Sequence, residues 1–282
     1  MHKKHSLSRN QRIGSILSYT ILIIGALLVV LPILWMLITA LKDDLEIYQM
    51  NGRILPEKIT LTSFIRIWRD YDFVLYFRNS LIVTIVAVIV SLIASTLTGY
   101  GATRFKFKGK NAFLSFILMT QMFPSIMLLV PFYKILSIYG LNNSLVGLCI
   151  VYVSFTIPFC SWMMVGYYRT IPLEIDESAS IDGASYMQTF IKITLPLVRP
   201  GIVSSAIYAF ITCWNEYMFA AILLIDDKLK TAAVAIAEMN GYYRIAWNDM
   251  MAASLVASVP LLIAFIFMQK SFISGLTAGA VK

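Results

Sequence analysis

The sequence predicts an all-α integral membrane protein with about six transmembrane helices. Three observations lead there. Hydrophobic residues make up 59% of the 282, and charged residues only 13%, about half the share of a soluble domain. The charges crowd into a few short stretches, and the runs between them can cross a hydrocarbon core of about 30 Å. No polar region is large enough to fold separately, so the chain reads as a single membrane domain over residues 1–282.

Apolar runs of spanning length fall at about 13–40, 78–103, 111–133, 143–168, 201–224 and 249–269. The first follows Lys3, Lys4, Arg9 and Arg12. It is too long for the apolar region of a signal peptide, and no A-x-A-like site follows it. It is expected to remain as the first transmembrane helix. Cytoplasmic loops should hold the excess of lysine and arginine. With the N-terminus inside, the inner segments carry thirteen basic residues against four acids, and the outer ones ten against ten. The loop from Arg104 to Lys110, with four basic residues and no acid, is the clearest vote. Both termini are therefore expected to be cytoplasmic, with a tail over 270–282.

The formal net charge of +8 does not imply nucleic acid, because the basic residues flank apolar helices instead of forming one dense stripe. Cys149, Cys160 and Cys213 lie inside apolar runs, with neither metal spacing nor an even count, and read as packing residues. His2 and His5 are too few for a metal site. No metal site and no catalytic constellation is expected.

The segment 42–77 is a long outer connection. Leu61, Phe64, Ile65 and Trp68 follow helical i, i+3, i+4, i+7 spacing there. That pattern suits a short helix lying either on the outer bilayer surface or on the protein's own edge. In the second span Ala87, Ser91, Ser95, Gly99 and Thr103 form a face of small side chains on which another helix can pack closely. Pro32, Pro124, Pro131, Pro158 and Pro260 are expected to interrupt five spans. Each frees a carbonyl one turn earlier, which lipid tolerates only where protein or a watery cavity satisfies it. The third span, with Gln121, Pro124 and Pro131, is thus a candidate pathway lining; a kinked packing helix is the plain alternative. The one acid within a span is Glu216, in Trp214-Asn215-Glu216-Tyr217. With Asn215 and Tyr217 it joins the pathway or gate candidates, although a hydrogen bond to a neighbouring helix accounts for it equally well.

The most informative stretch lies between the fourth and fifth spans, at about 170–200. Pro172 suits a first helical turn. Glu174, Asp176 and Glu177 place negative charge at the positive end of the helix dipole. Gly183 offers the left-handed conformation that ends a helix, and Ser185 with Gln188 has capping-box spacing for a second one. Such a helix is either a lever entering a groove on a soluble partner or an amphipathic loop helix resting on the bilayer.

Glu177-Ser178-Ala179, then Gly183 three residues on, then Ile193-Thr194-Leu195-Pro196 after nine more, resembles the EAA signature of ABC importer permeases. Ser178 replaces the first alanine of that signature, small for small. Asp182-Gly183-Ala184, Trp214-Asn215-Glu216-Tyr217 and the tail Ser274-Gly275-Leu276-Thr277-Ala278-Gly279-Ala280 resemble the carbohydrate branch, in particular the smaller six-helix permease of maltose-type importers. The resemblance covers nearly the whole chain.

It implies a type I importer fold in a bacterial cytoplasmic membrane. It also implies a second, non-identical permease, an ATPase dimer and an extracytoplasmic sugar-binding protein as partners. Glu177, Ser178, Ala179, Asp182, Gly183, Ala184, Ile193, Leu195 and Pro196 would couple the chain to the ATPase. Ser274, Gly275, Leu276, Thr277, Ala278 and Gly279 would reach the same interface. The loop Glu238-Met239-Asn240-Gly241-Tyr242-Tyr243 would meet the binding protein. This chain would bind no cofactor and be no enzyme, with ATP and Mg held by the partner ATPase. Consistent with that, it contains no G-x-x-x-x-G-K-[ST] run. The expected function is half of the pathway of an ATP-driven importer of a di- or oligosaccharide. The main alternative is an ion-coupled secondary transporter of a small polar solute, which would show repeated halves and charged midplane sites. A membrane enzyme or a purely structural subunit would be the further rivals.

Overall fold

The structure, a computed structural model, describes residues 9–49, 53–240 and 246–278. Among them every regular element is a helix. In chain order these are α1 (Arg9–Ala40), α2 (Asp44–Tyr48), α3 (Thr62–Arg69), α4 (Phe73–Arg104), α5 (Lys110–Thr120), α6 (Leu129–Ile138) and α7 (Leu145–Arg169). After them come α8 (Glu174–Ile181), α9 (Tyr186–Thr189), α10 (Leu195–Leu197), α11 (Arg199–Trp214), α12 (Met218–Leu223), α13 (Ala232–Glu238) and α14 (Trp247–Ala278). Four are long and apolar enough to cross a membrane: Gly14–Ala40 within α1, all of α4, all of α7, and Trp247–Phe267 within α14. Two bent pairs raise the number to six if each is one span.

The bends have local causes. Lys110–Thr120 and Ser125–Ile138 meet at 96°. Pro124 cannot donate the bond that would carry α5 onward and takes an extended conformation (φ −57°, ψ 125°) ahead of a 3₁₀ turn at Ser125–Leu128. Pro131 breaks nothing, because it sits in the first turn of α6, where its missing N–H is no loss. Tyr186–Leu197 and Arg199–Trp214 meet at 74°, between Pro196 and Pro200. Within the first of these, Phe190–Thr194 winds as a π-helix. Pro32, Pro158 and Pro260 lie inside continuous helices, so the interruption expected there is absent.

By its contacts the chain divides into two compact units, Met1–Tyr71 with Met239–Val256, and Asp72–Glu238 with Ala257–Lys282. In the first, Arg66 of α3 pairs with Asp44 of α2 at 2.9 Å and with Asp249 of α14 at 3.2 Å. Tyr71 Oη donates to the same Asp249 oxygen at 3.2 Å, and Asn248 Nδ2 donates to Asp44. The Asp44 carboxylate draws the Arg66 guanidinium pKa upward. Asp249 also lies in the first turn of α14, where the helix dipole favours an anion. Helix α3 buries Ser63 and Ile67 and leaves Leu61, Ile65 and Trp68 exposed. Phe64 is half-buried, so the apolar stripe read from the sequence is exposed at Leu61, Ile65 and Trp68 and partly covered at Phe64. In α1 no residue of the most apolar window is buried.

The second unit is built on α4 and α7. Ala87, Ser91, Ser95 and Gly99 of α4 are all buried. Ser91 and Thr156 share a hydroxyl hydrogen bond of 2.6 Å. A Cβ on Gly99 would meet Met164 Cβ at 2.8 Å and Tyr168 Cδ2 at 2.9 Å, so only glycine lets the two backbones approach this closely. Helix α11 joins this pair, with Cys160 Sγ 3.6 Å from the Ser205 carbonyl. Asn79 Nδ2 donates to the carbonyls of Lys228 (2.9 Å) and Lys230 (3.0 Å) and ties the loop after α12 to the start of α4. Asn143 Oδ1 holds that loop from its other side, accepting from the amides of Ile225 and Asp226, both at 2.9 Å.

Candidate functional site

Helix α8 is bounded by sequence chemistry on both sides. Pro172 lies before the helix, not in its first turn, and the Leu173 carbonyl accepts the amides of Asp176 (3.0 Å) and Glu177 (3.1 Å). At the other end Gly183 has φ +82°. Its amide bonds the Ser180 carbonyl at 3.1 Å, and the Ala184 amide bonds that of Ala179 at 2.9 Å. This is the paired bonding of a Schellman ending. Ser185 then opens α9 with the reciprocal box expected: its Oγ accepts the Gln188 amide and its amide donates to Gln188 Oε1 at 2.8 Å.

The predicted coupling residues divide by face. Ala179 is buried, Ile193, Leu195 and Ala184 are half-buried, and Glu177, Ser178, Asp182, Gly183 and Pro196 are exposed. Beside the exposed group stand Ile181, 86% accessible, and the exposed side chains of Tyr186, Met187 and Ile191. These apolar groups are rimmed by acids and hydroxyls, the composition of a docking surface more than of a finished exterior.

Sequence reasoning missed what holds α8 from behind. Arg104, at the last turn of α4, has only 5% of its side chain accessible, and its Nε lies 2.9 Å from Asp176 Oδ2. Its two terminal nitrogens donate to the carbonyls of Tyr168 (3.3 Å) and Ile171 (3.2 Å) at the end of α7. Tyr100 Oη reaches Asp176 Oδ1 at 3.4 Å, and the Tyr100 ring packs on Tyr168 (5.7 Å) and Phe190 (4.9 Å). The signal available was weak: Arg104 directly follows the second apolar run, and Asp176 shares a helical face with Ala179.

Of the gate candidates, Gln121 and Glu216 reach one aromatic cluster, and Pro124, Pro131, Asn215 and Tyr217 do not join it. Phe132 of α6, Phe155 of α7 and Phe219 of α12 have ring centroids 4.9–5.9 Å apart. Gln121 Nε2 lies 3.5 Å from the Phe155 carbonyl. Glu216 sits in the break between α11 and α12, where Oε1 accepts the Phe219 amide at 2.8 Å and Oε2 the Ala220 amide at 3.1 Å. Tyr152 Oη donates to Oε2 at 2.9 Å. The carboxylate thus caps a helix inside the apolar region. Asn215 bonds its own helix at the Ile211 carbonyl (3.0 Å), and Tyr217, Pro124 and Pro131 are exposed.

Residues 87–277 match the family of binding-protein-dependent transport system inner membrane components. The chain belongs to this family. Over 274 residues it is 34% identical to the trehalose/maltose transport system permease protein MalG of Thermococcus litoralis, covering 95% of this chain and 98% of that one. It is also 34% identical to the diacetylchitobiose uptake system permease protein DasC of Streptomyces coelicolor, over 90% and 92% of the two chains. Among solved structures it resembles a chain of a bacterial ABC transporter involved in the import of the acidic polysaccharide alginate. There the TM-score is 0.81 at 23% identity, over 95% of this chain and 99% of that one. The all-helical importer-permease fold is thereby established, and the chain is a membrane-spanning transport component.

Two further stretches of the permease were singled out. In the loop Glu238–Tyr243, Glu238 ends α13 and bonds Lys230 Nζ at 2.7 Å, Met239 is buried and Asn240 exposed. Gly241, Tyr242 and Tyr243 lie outside the described residues. Ser274, Gly275, Leu276, Thr277 and Ala278 continue α14, and Gly279 lies outside the described residues.

Proposed function

We propose that this permease is one of two non-identical membrane subunits of an ATP-driven importer of di- or oligosaccharides. A separate ATPase dimer drives it, and an extracytoplasmic binding protein loads it. The observation that carries this reading is the segment 170–200. It is a short helix with a fixed end, backed by buried contacts and presenting an exposed apolar and acidic face, on a chain with no phosphate-binding loop. An ATPase that closes on nucleotide would push such a helix and shift the pathway between outward and inward access. Relatives that transport trehalose, maltose and diacetylchitobiose support the substrate class.

In this reading α8 and the start of α9 seat on the ATPase, and the end of α14 lies near them. ATP and Mg belong to the ATPase. The loop after α13 meets the binding protein. Both termini are cytoplasmic, as the surplus of basic residues on that side supports. Glu177, Ser178 and Asp182 contact the partner directly, while Ala179 anchors the helix to the permease.

The test is purification from the native membrane in mild detergent, mass spectrometry of the associated chains, and reconstitution with the binding protein. Recovery of a second permease and an ATPase, with ATP-dependent uptake of a labelled disaccharide, is expected. Recovery of this chain alone, competent for ion-driven uptake without ATP, would sink the reading.

A further inference from the structure

Two of the three acids in the first turn of α8 are spent on solvent: Glu174 and Glu177 are exposed. The third, Asp176, turns inward, with 17% of its side chain accessible, against an arginine whose side chain is 5% accessible. That arginine comes from a different helix, and it holds two elements at once. Its Nε side faces Asp176 of α8, while its terminal nitrogens occupy the Tyr168 and Ile171 carbonyls that end α7. A cation there is also favoured by the negative end of the α7 dipole. One guanidinium therefore joins the ends of α4 and α7 to the start of α8, using the planar fork that lysine lacks.

The quality of the contacts differs. Toward α7 the N–H groups are directed at carbonyls, and these are hydrogen bonds. Toward α8 the 2.9 Å separation is an ion-pair contact in which neither Nε nor Oδ2 has an aligned hydrogen bond. Coulomb attraction depends less on angle than a hydrogen bond does, so this contact tolerates a change in the orientation of α8 better than the bonds to the Tyr168 and Ile171 carbonyls do. Behind the pair, Tyr100, Tyr168 and Phe190 form a buried cluster of tilted and edge-on rings.

We propose that Arg104 is a positioning residue, the pivot through which displacement of α8 is passed to α4 and α7. The inference rests on reading α8 as the helix pushed by the ATPase, and it adds the element that receives the push. The ATPase touches the exposed face of α8; Arg104 and Asp176 are its buried reverse.

The experiment uses the full complex reconstituted with its binding protein, in wild-type form and as Arg104→Gln, Arg104→Lys, Asp176→Asn, Tyr100→Phe and, as a control for lost charge, Lys108→Gln on the exposed loop. Three quantities are read: sugar taken up per ATP hydrolysed, stimulation of hydrolysis by loaded binding protein, and the amount of assembled complex. Arg104→Gln and Asp176→Asn should each lower uptake per ATP by about tenfold with the complex still assembled. Arg104→Lys, which keeps the charge and loses the fork, should fall between them and the wild type. Tyr100→Phe should follow Asp176→Asn more weakly, and Lys108→Gln should match the wild type. A ratio within about twofold of wild type in both Arg104→Gln and Asp176→Asn overturns the pivot. So does a fall in uptake matched by equal loss of assembled complex in Asp176→Asn, which would make the pair a structural brace. Failure of the wild-type complex to take up sugar with ATP is a different result, and it would strike the importer reading itself.

Discussion

Glu216 is the residue whose surroundings decide between a transport role and a structural one. An ionised group in an apolar stretch is a functional candidate by default, but here both carboxylate oxygens are occupied by the free amides of α12 and by Tyr152. Glu216→Gln keeps an acceptor for one of the two amides and should cost less stability than removal of the whole cap. Glu216→Ala leaves the Phe219 and Ala220 amides without their cap and should cost about 1–2 kcal/mol, read as a lower unfolding temperature of the detergent-solubilised complex. Uptake lost in Glu216→Gln at unchanged stability would instead return Glu216 to the pathway. Gly183 poses the opposite case. Nothing lies within 4 Å of a Cβ placed there, so the whole penalty of Gly183→Ala is its φ of +82°, about 1–2 kcal/mol. That is enough to fray the end of α8, and uptake per ATP should fall while the complex survives; Gly183→Asn should be milder. Gly183 was legible because a turn residue at fixed distance from acids and a capping box has one reading. The cap formed by Glu216 was not, because it depends on a helix break that no hydropathy run displays.

At the scale of elements, the straight helices α4 and α7 were easy to find and the bent ones hard. Hydropathy gives 111–133 and 201–224 the same continuous runs; Pro124 and Pro131 mark the first without telling which one makes the 96° bend, and nothing marks the α11–α12 break in the second. Proline alone does not mark a bend. Pro124 stands where α5 would need its N–H, while Pro158 lies within a helix packed on α4 and α11. The small-residue face of α4 was readable, and its use can be tested. Gly99→Leu must push its side chain into Met164 and Tyr168, an overpacking that typically costs 1–3 kcal/mol (here about that range). For Gly101→Leu, two residues on, the added Cβ meets nothing within 4 Å. The first should lower the yield and thermal stability of the complex in detergent, and the second should leave both near wild type. Equal behaviour of the two would mean that α4 and α7 are not packed as closely as the buried Ser91–Thr156 bond requires.

At the largest scale, the sidedness of the chain can be tested from one contact within the second unit. The salt-rich ends cannot be exchanged freely, because the Arg104 contact with Asp176 fixes the α4–α5 loop and α8 to the same face of the second unit. If one is cytoplasmic, so is the other. Placed by the positive-inside rule, the basic loop Lys106–Lys110 would be cytoplasmic, and α8 would then face the compartment that holds ATP. Lys58 precedes α4 in the chain, so a spanning α4 separates it from that loop. With the native cysteines replaced by alanine, Lys108→Cys and Lys58→Cys, both at exposed positions, give the test. A membrane-impermeant maleimide should modify the first only in inside-out vesicles and the second only in intact spheroplasts. The reverse pattern would put α8 outside, beyond the reach of any ATPase, and end the coupling reading. Modification of both from one side would mean that α4, thirty-two residues long and about 48 Å by helical rise, does not cross the bilayer.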